Sequence, residues 1–228
     1  MAIDHSLTYK KLSLRNFPHL LRKKSLEIAV KNLSKFPKNY ADFGCSNGYL
    51  TNIFSGILRA SSSYGFDCTD NILLARKDYP HINFDFIDLN LELNLQNSFQ
   101  VITCFEVLEH VGNTSNALKI LKSASSLNSV ILISVPIEIG VIGLLKYIVK
   151  RFIFKYELPL KCNDKEYFFS LLFGKDIFQY REKLDSYGSH FGFDYRIIDL
   201  EVAAEFFDRD VYKWNSGTTR FYRIQAKP

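Results

Sequence analysis

Glycine and proline are scarce, at 11 and 6 of 228 residues. That excludes a collagen-like chain and a Gly/Pro-dominated disordered one. Cysteine is sparse too: Cys45, Cys68, Cys104 and Cys162 lie far apart, with no C-x-x-C pair and no Cys/His metal spacing. The expectation is no metal site and no disulfide-stapled secreted domain, but reduced thiols in a cytoplasmic protein. No charged-then-apolar leader opens the chain, because Asp4, His5, Lys10, Lys11, Arg15 and Pro18 interrupt Met1 to Lys24. The most apolar stretch, Val130 to Val149, is broken by Pro136, Glu138, Gly140, Gly143 and Lys146. A membrane span needs ~20 predominantly apolar residues, so this one reads as a buried strand, a loop and a helix. Internal repeats, low-complexity tracts and Pro/Ser-rich linkers are absent. One domain over residues 1–228 is expected.

What is abundant is apolar side chain. Hydrophobic residues make up 47% of the chain, with 20 Phe and 13 Tyr, enough for a sizeable core. Lys and Arg number 29 against 24 Asp and Glu, a formal charge of +5. That excess suits anionic substrates or a membrane surface and is too small to demand nucleic acid.

Residues 1–38 are basic and helix-patterned, a helical cap punctuated by Pro18 and Pro37. From Tyr40 the chain alternates short apolar runs with helical segments. Strands are predicted at Asn39–Phe43, Ser62–Phe66, Ile82–Ile87, Phe99–Cys104 and Ser129–Val135, and helices at Tyr49–Ala60, Asp70–Lys77 and Asn116–Ser126. Such alternation argues an α/β fold, a mostly parallel sheet with helices on both faces. Residues 139–187 form a helical insertion after the fifth strand, followed by strand-like runs at Phe193–Leu200 and Thr219–Ala226.

The segment Asp42-Phe43-Gly44-Cys45-Ser46-Asn47-Gly48 closes the first strand and opens a helix, the place where an open α/β sheet binds its ligand. Gly44 and Gly48 allow a tight turn and close backbone approach. No third glycine completes G-x-G-x-x-G, and no Lys-Ser/Thr makes a phosphate-cradling loop. Asp42 ahead of Gly44 also speaks against pyrophosphate. Asp67 ends the second strand, where a carboxylate accepts hydrogen bonds from ribose hydroxyls; Asp88, with Leu89 beside it, ends the third, where it can receive an adenine amine. Asp67 alone reads equally well as a helix cap, and Asp88 alone is more often a cap or turn residue, but three acids at successive strand ends describe a nucleoside site. After the fourth strand come Phe105, Glu106 and His110. Glu106 and His110 are four apart, so on a helical turn they share one face. A histidine there can serve as general base for a hydroxyl, with a packing histidine as the plain alternative.

These residues carry a resemblance. Asp42 to Gly48 resembles the D-x-G-C-G-x-G motif of class I S-adenosylmethionine-dependent methyltransferases, with Ser46 in place of the middle glycine. Phe105-Glu106-Val107-Leu108-Glu109-His110-Val111 is similar to the E-V-L-E-H-V segment of small-molecule O-methyltransferases of the ubiquinone-biosynthesis kind. Ser134-Val135-Pro136 resembles their fifth-strand ending, and Gly192-Phe193 with Phe221 to Pro228 their closing hairpin. The likeness covers Tyr40 to Pro136 and His190 to Pro228.

The resemblance implies a seven-stranded Rossmann-like sheet with the last strand inserted antiparallel, and S-adenosyl-L-methionine as cofactor. Asp42, Gly44, Cys45, Ser46 and Gly48 would wrap its methionine part; Asp67, Asp88, Leu89, Phe105 and Glu106 would hold the rest. Catalysis would fall to His110 and Glu106, and the acceptor would be a small molecule carrying a hydroxyl, either sugar-like or quinone- and lipid-like. A nucleic-acid or protein acceptor is the alternative within the fold. However, Cys104-Phe105-Glu106-Val107 replaces the Asp/Asn-Pro-Pro-aromatic motif of amino-methylating DNA enzymes, and no Pro-Cys nucleophile pair is present. A non-catalytic cofactor-binding protein is the other alternative. The insertion is expected to choose the acceptor. Residues 140–156 set Leu144, Leu145, Ile148, Val149 and Phe152 among Lys146, Lys150, Arg151 and Lys155, which reads as a lid, as a contact with the inner face of a membrane, or as a packed helix with a solvated basic edge.

Overall fold

The structure, a computed structural model, describes residues 9, 16–33, 35–93, 95, 98–153, 163–181 and 191–227. Expectations on residues 1–8 and 10–15, Cys162, 154–156 of the basic helix, 182–187 of the insertion, His190 and Pro228 lie outside the described residues.

A helix α1 (Phe17–Lys31) precedes β1 (Asn39–Phe43), α2 (Tyr49–Leu58), β2 (Ser62–Asp67), α3 (Asn71–Asp78) and β3 (Asn83–Phe86). Then come β4 (Phe99–Phe105), a 3₁₀ turn (Leu108–His110), α4 (Thr114–Ser123) and β5 (Ser125–Pro136). The insertion supplies α5 (Gly140–Ile148), a π turn (Val149–Ile153), α6 (Asp164–Leu172) and a second 3₁₀ turn (Phe178–Tyr180). The chain closes with α7 (Tyr195–Glu205), β6 (Arg209–Ser216) and β7 (Thr219–Ala226). All seven strands share one sheet, ordered β3-β2-β1-β4-β5-β7-β6. β1 to β5 run parallel, and β7 lies antiparallel between β5 and β6.

Alternation along each strand feeds two apolar layers. Phe43, Ile102, Cys104, Ile131 and Ile133 face α4 and α7, whose Leu118, Leu121, Ile198 and Val202 complete one core. Tyr40, Val101, Leu132 and Phe221 point the other way, onto Leu26 and Val30 of α1 and Phe54 and Leu58 of α2. Burying each such side chain contributes roughly 1.5–3 kcal/mol, and coverage of both faces explains why these strands read as continuous apolar runs. The order in which strands are added reverses between β1 and β4, so the carboxyl ends of these parallel strands open a crevice there.

Three expectations need correction. Phe193–Leu200 is not a strand. Asp194 accepts a hydrogen bond from the Arg196 amide at 3.0 Å as a helix cap, and Ile198, Val202 and Phe206 repeat every four residues onto the core. The partner of β7 in the closing hairpin is instead β6, an edge strand whose polar, half-exposed sequence gives little apolar signal. The helix expected to reach Ser126 ends at Ser123, and β5 begins at Ser125. Within the insertion, Ile139, Tyr147, Tyr167, Leu171 and Ile177 form a cluster apart from the sheet layers. Lys146 there turns onto Glu138 at 3.0 Å, while Val141, Leu145, Val149 and Phe152 are exposed. Among the described residues no helix is long and apolar enough to cross a membrane.

Candidate functional site

The turn after β1 is held from beneath. The amides of Gly44 and Cys45 both donate to the Phe66 carbonyl, at 2.7 and 3.0 Å. Gly44 has φ +80°, and a Cβ there would lie 2.1 Å from Val107 Cγ2, so only glycine fits. Gly48 serves packing rather than a ligand: its φ is +74°, and a Cβ would sit 2.7 Å from the Phe84 ring. It does not line the crevice, whereas Gly44, Cys45 and Ser46 do. Ser46 stands at φ +48°, which explains why the related motif carries glycine there. Its amide donates to Asp67 Oδ2 at 2.7 Å and its hydroxyl accepts from Asn71 at 3.0 Å. The Cys45 thiol is buried, and burial raises its pKa.

Asp42 sits below that turn. Thr51 and Thr103 donate their hydroxyls to its two oxygens at 2.6 and 2.7 Å, and Thr103 in turn meets the Tyr40 hydroxyl at 2.7 Å. Burial pushes the Asp42 carboxyl up to about 6, against the two hydroxyl bonds that favour its charged form. Asp67 lines the crevice and is already engaged. Its Oδ1 accepts from the Thr69 amide and hydroxyl at 2.8 and 2.6 Å, and Oδ2 from Ser46. A carboxylate offers about four acceptor positions, so one ribose hydroxyl fits as it stands and a second requires Thr69 to rotate away.

Asp88 is placed differently from expectation. It does not line the crevice; its Oδ1 accepts from the Asn90 amide and side chain at 2.8 and 3.1 Å. Ile87 and Leu89, on either side of it, supply an apolar wall instead.

Glu106 and His110 both line the crevice, but not as neighbours on one helix face. Only Leu108–His110 form the 3₁₀ turn, and Glu106 precedes it at φ +56°. Strain at such a residue needs firm partners. Arg22 reaches Glu106 Oε2 at 2.9 Å, and Ser134 donates to Oε1 at 3.2 Å. Burial raises the Glu106 pKa, opposed chiefly by Arg22. His110 is half exposed, with Nε2 4.0 Å from Oε1 of the buried Glu109. Burial, and after it the Glu106 charge, hold the Glu109 pKa well above the usual range.

The chain's N-terminal part supplies the wall that sequence reasoning missed. Tyr9, His19 and Arg22 face the crevice, as do Tyr49, Cys68 and Thr69. Tyr9 stacks on Tyr49 at 6.1 Å between ring centroids. Arg22 is one cation among many in a basic helix, and nothing in its spacing separates it from Lys23 or Lys24; only the fold points it inward. Phe105 completes the wall, edge-on to Phe54 at 5.5 Å.

The cavity so enclosed measures about 800 Å³. Among its lining side chains are three carboxylates, Asp42, Asp67 and Glu106, and one guanidinium, Arg22. Doubly wound sheet, glycine turn and acids at strand ends define a nucleoside-binding α/β protein. Residues 13–157 match the methyltransferase domain family, and the chain belongs to that family. It is 30% identical over 127 residues to the ubiquinone biosynthesis O-methyltransferase of Glaesserella parasuis, covering 51% of this chain and 53% of that one. The chain spans about half the length of the curated relatives it matches. Among solved structures, the plantazolicin methyltransferase, in complex with a triazolic desmethylPZN analogue and S-adenosylhomocysteine, superposes with TM-score 0.61 at 13% identity, over 97% of this chain and 89% of that one. The magnesium protoporphyrin IX methyltransferase of Synechocystis, also with S-adenosylhomocysteine bound, gives 0.58 at 13%, over 97% and 92%. These likenesses show the same Rossmann-like fold. Family membership brings S-adenosylmethionine as the cofactor.

Proposed function

We propose that the chain binds S-adenosylmethionine in this cavity and transfers its methyl group to a hydroxyl of a small molecule. The observation that carries the reading is the charge of the wall. A ligand with a sulfonium, an ammonium and a carboxylate finds three carboxylates and one guanidinium; a pyrophosphate would meet net repulsion. Asp67 would receive the ribose, Ile87 and Leu89 would flank the adenine, and Arg22 would take the carboxylate.

The cofactor supplies an electrophilic methyl group on a positively charged sulfur. Chain residues then have three tasks: to hold the acceptor oxygen in line, to exclude water and to take the proton. The stacked Tyr9 and Tyr49 rings narrow the opening. His110 would accept the proton that the acceptor hydroxyl loses as it takes the methyl group, and its half-exposed ring would return that proton to solvent.

The insertion over 139–187 is read as the acceptor lid of a single domain. The exposed row Val141, Leu145, Val149 and Phe152 supports a lipid-like acceptor or a peripheral membrane contact over a free sugar.

Calorimetry with S-adenosylmethionine, S-adenosylhomocysteine and NAD tests the cofactor, and labelled-methyl transfer to fractionated small-molecule and lipid extracts tests the acceptor. Binding of NAD alone would sink the proposal.

A further inference from the structure

We infer that Arg181 is a positioning residue: its guanidinium clamps the short turn that carries His110 and so ties the helical insertion to the reacting end of the cavity. The inference rests on the reading of His110 as the base, and its test separates the two.

Nη2 of Arg181 donates to the carbonyls of Glu109 and Val111, at 2.9 and 3.2 Å. Those are the carbonyls of the two residues that flank His110. The turn itself is short, Leu108–His110, with backbone bonds from His110 to Val107 at 2.9 Å and from Val111 to Leu108 at 3.3 Å. A 3₁₀ turn of this length has poor hydrogen-bond geometry of its own, so an outside donor on both flanking carbonyls fixes it. Charge-assisted bonds are the strong kind, and a guanidinium stays protonated even when partly buried.

Arg181 is in turn fixed by the insertion. Its amide donates to the Phe178 carbonyl at 2.9 Å, and its guanidinium lies 5.3 Å from the Phe193 ring centroid. The returning chain presses against it at Gly192, where φ is +72° and a Cβ would lie 2.6 Å from the Arg181 nitrogen. The second 3₁₀ turn of the insertion and the His110 turn are therefore tied through Arg181, and a shift of the first is passed to the base. No substrate contact is needed for this role.

Amide hydrogen exchange read by mass spectrometry tests it. Arg181→Ala should speed exchange across 107–112 by about tenfold or more, with β1 and α2 unchanged; Arg181→Lys should restore part of the protection. Should Arg181→Ala fail to fold, Gly192→Ala deletes no side chain but displaces the Arg181 backbone and with it the guanidinium, and the same local acceleration is expected. S-adenosylhomocysteine affinity should stay within about threefold. With catechol as hydroxyl probe, kcat should fall while KM for S-adenosylmethionine holds. Unchanged exchange at 107–112, or a rise spread evenly over the chain, overturns the inference. Exchange decides the clamp whether or not catechol is methylated, and a wild type inactive toward catechol counts against the acceptor reading alone.

Discussion

Arg22 and Glu106 meet at 2.9 Å across the cavity, joining the first helix to the end of the fourth strand. The pair links two segments that lie 84 residues apart in sequence, and both side chains line the cavity that His110 also lines. Glu106 accepts it from a left-handed backbone conformation that no regular strand or helix would supply.

Removing the guanidinium strands a buried carboxylate. Arg22→Met should destabilise the fold by ~3 kcal/mol at pH 8, since breaking one partner of a buried pair leaves an uncompensated charge. Burial already holds the Glu106 pKa above its ordinary value, and losing Arg22 raises it further. A folded-state carboxyl pKa above the unfolded one means that the native state keeps the proton, so the deficit should narrow as pH falls from 8 to 5. Urea unfolding at both pH values measures this; an equal deficit at both would show that Glu106 is not the stranded group.

Asp42 gives a second pH signature. Its carboxyl titrates near 6 when folded and near 3.8 unfolded, so the wild type loses stability as pH rises through that interval. Asp42→Asn has no such loss. The stability difference between variant and wild type should move in the variant's favour by on the order of 1 kcal/mol between pH 5 and 7.5. A pH-independent difference in urea unfolding would refute the assignment.

Ser46→Gly should leave stability within about 1 kcal/mol of wild type. Relief of the left-handed φ gains ~1–2 kcal/mol, while the lost Asn71 bond and the freer unfolded chain cost about as much. Ser46→Val adds a branched side chain at the same φ and should cost more than about 2 kcal/mol and weaken cofactor binding. Thermal melts and calorimetry of both variants make the comparison.

Asp67→Ala should weaken cofactor binding at least tenfold while the protein still melts cooperatively. Charge-assisted bonds to a ribose are worth roughly 1.5–3 kcal/mol each, and the same carboxylate anchors Ser46 and Thr69. Unchanged affinity by calorimetry would remove Asp67 from the ribose site.

What was legible in the sequence follows from what is local. β1, β4 and β5 are readable because both faces are buried, and Gly44 because a tight turn leaves a mark on residue type. α7 reads as a strand because Phe193, Tyr195 and Ile197 alternate as a strand does, and the Asp194 cap that settles it is a single residue. Asp88 points to the cavity from its place at a strand end, yet the Asn90 turn takes its carboxylate. Arg22 and Arg181 act across 84 and about 70 residues, and no spacing rule reaches that far.

In the proposed reaction His110 is the base. His110→Ala should lower turnover ~100-fold or more with cofactor affinity nearly intact, because a general base contributes about that much and the ring is not needed to hold a nucleoside. Imidazolium cannot accept a proton, so wild-type turnover should fall as the ring becomes protonated, and the variant should lose that acidic limb. Glu106 is the competitor for the role. Its carboxylate already holds Arg22 and Ser134, and Glu106→Gln should therefore act mainly on stability and cofactor binding while the acidic limb survives. A nitrogen or carbon acceptor needs no such base. A His110→Ala enzyme with near-wild-type turnover and an unchanged pH profile would make this histidine a packing residue and the acceptor something other than a hydroxyl.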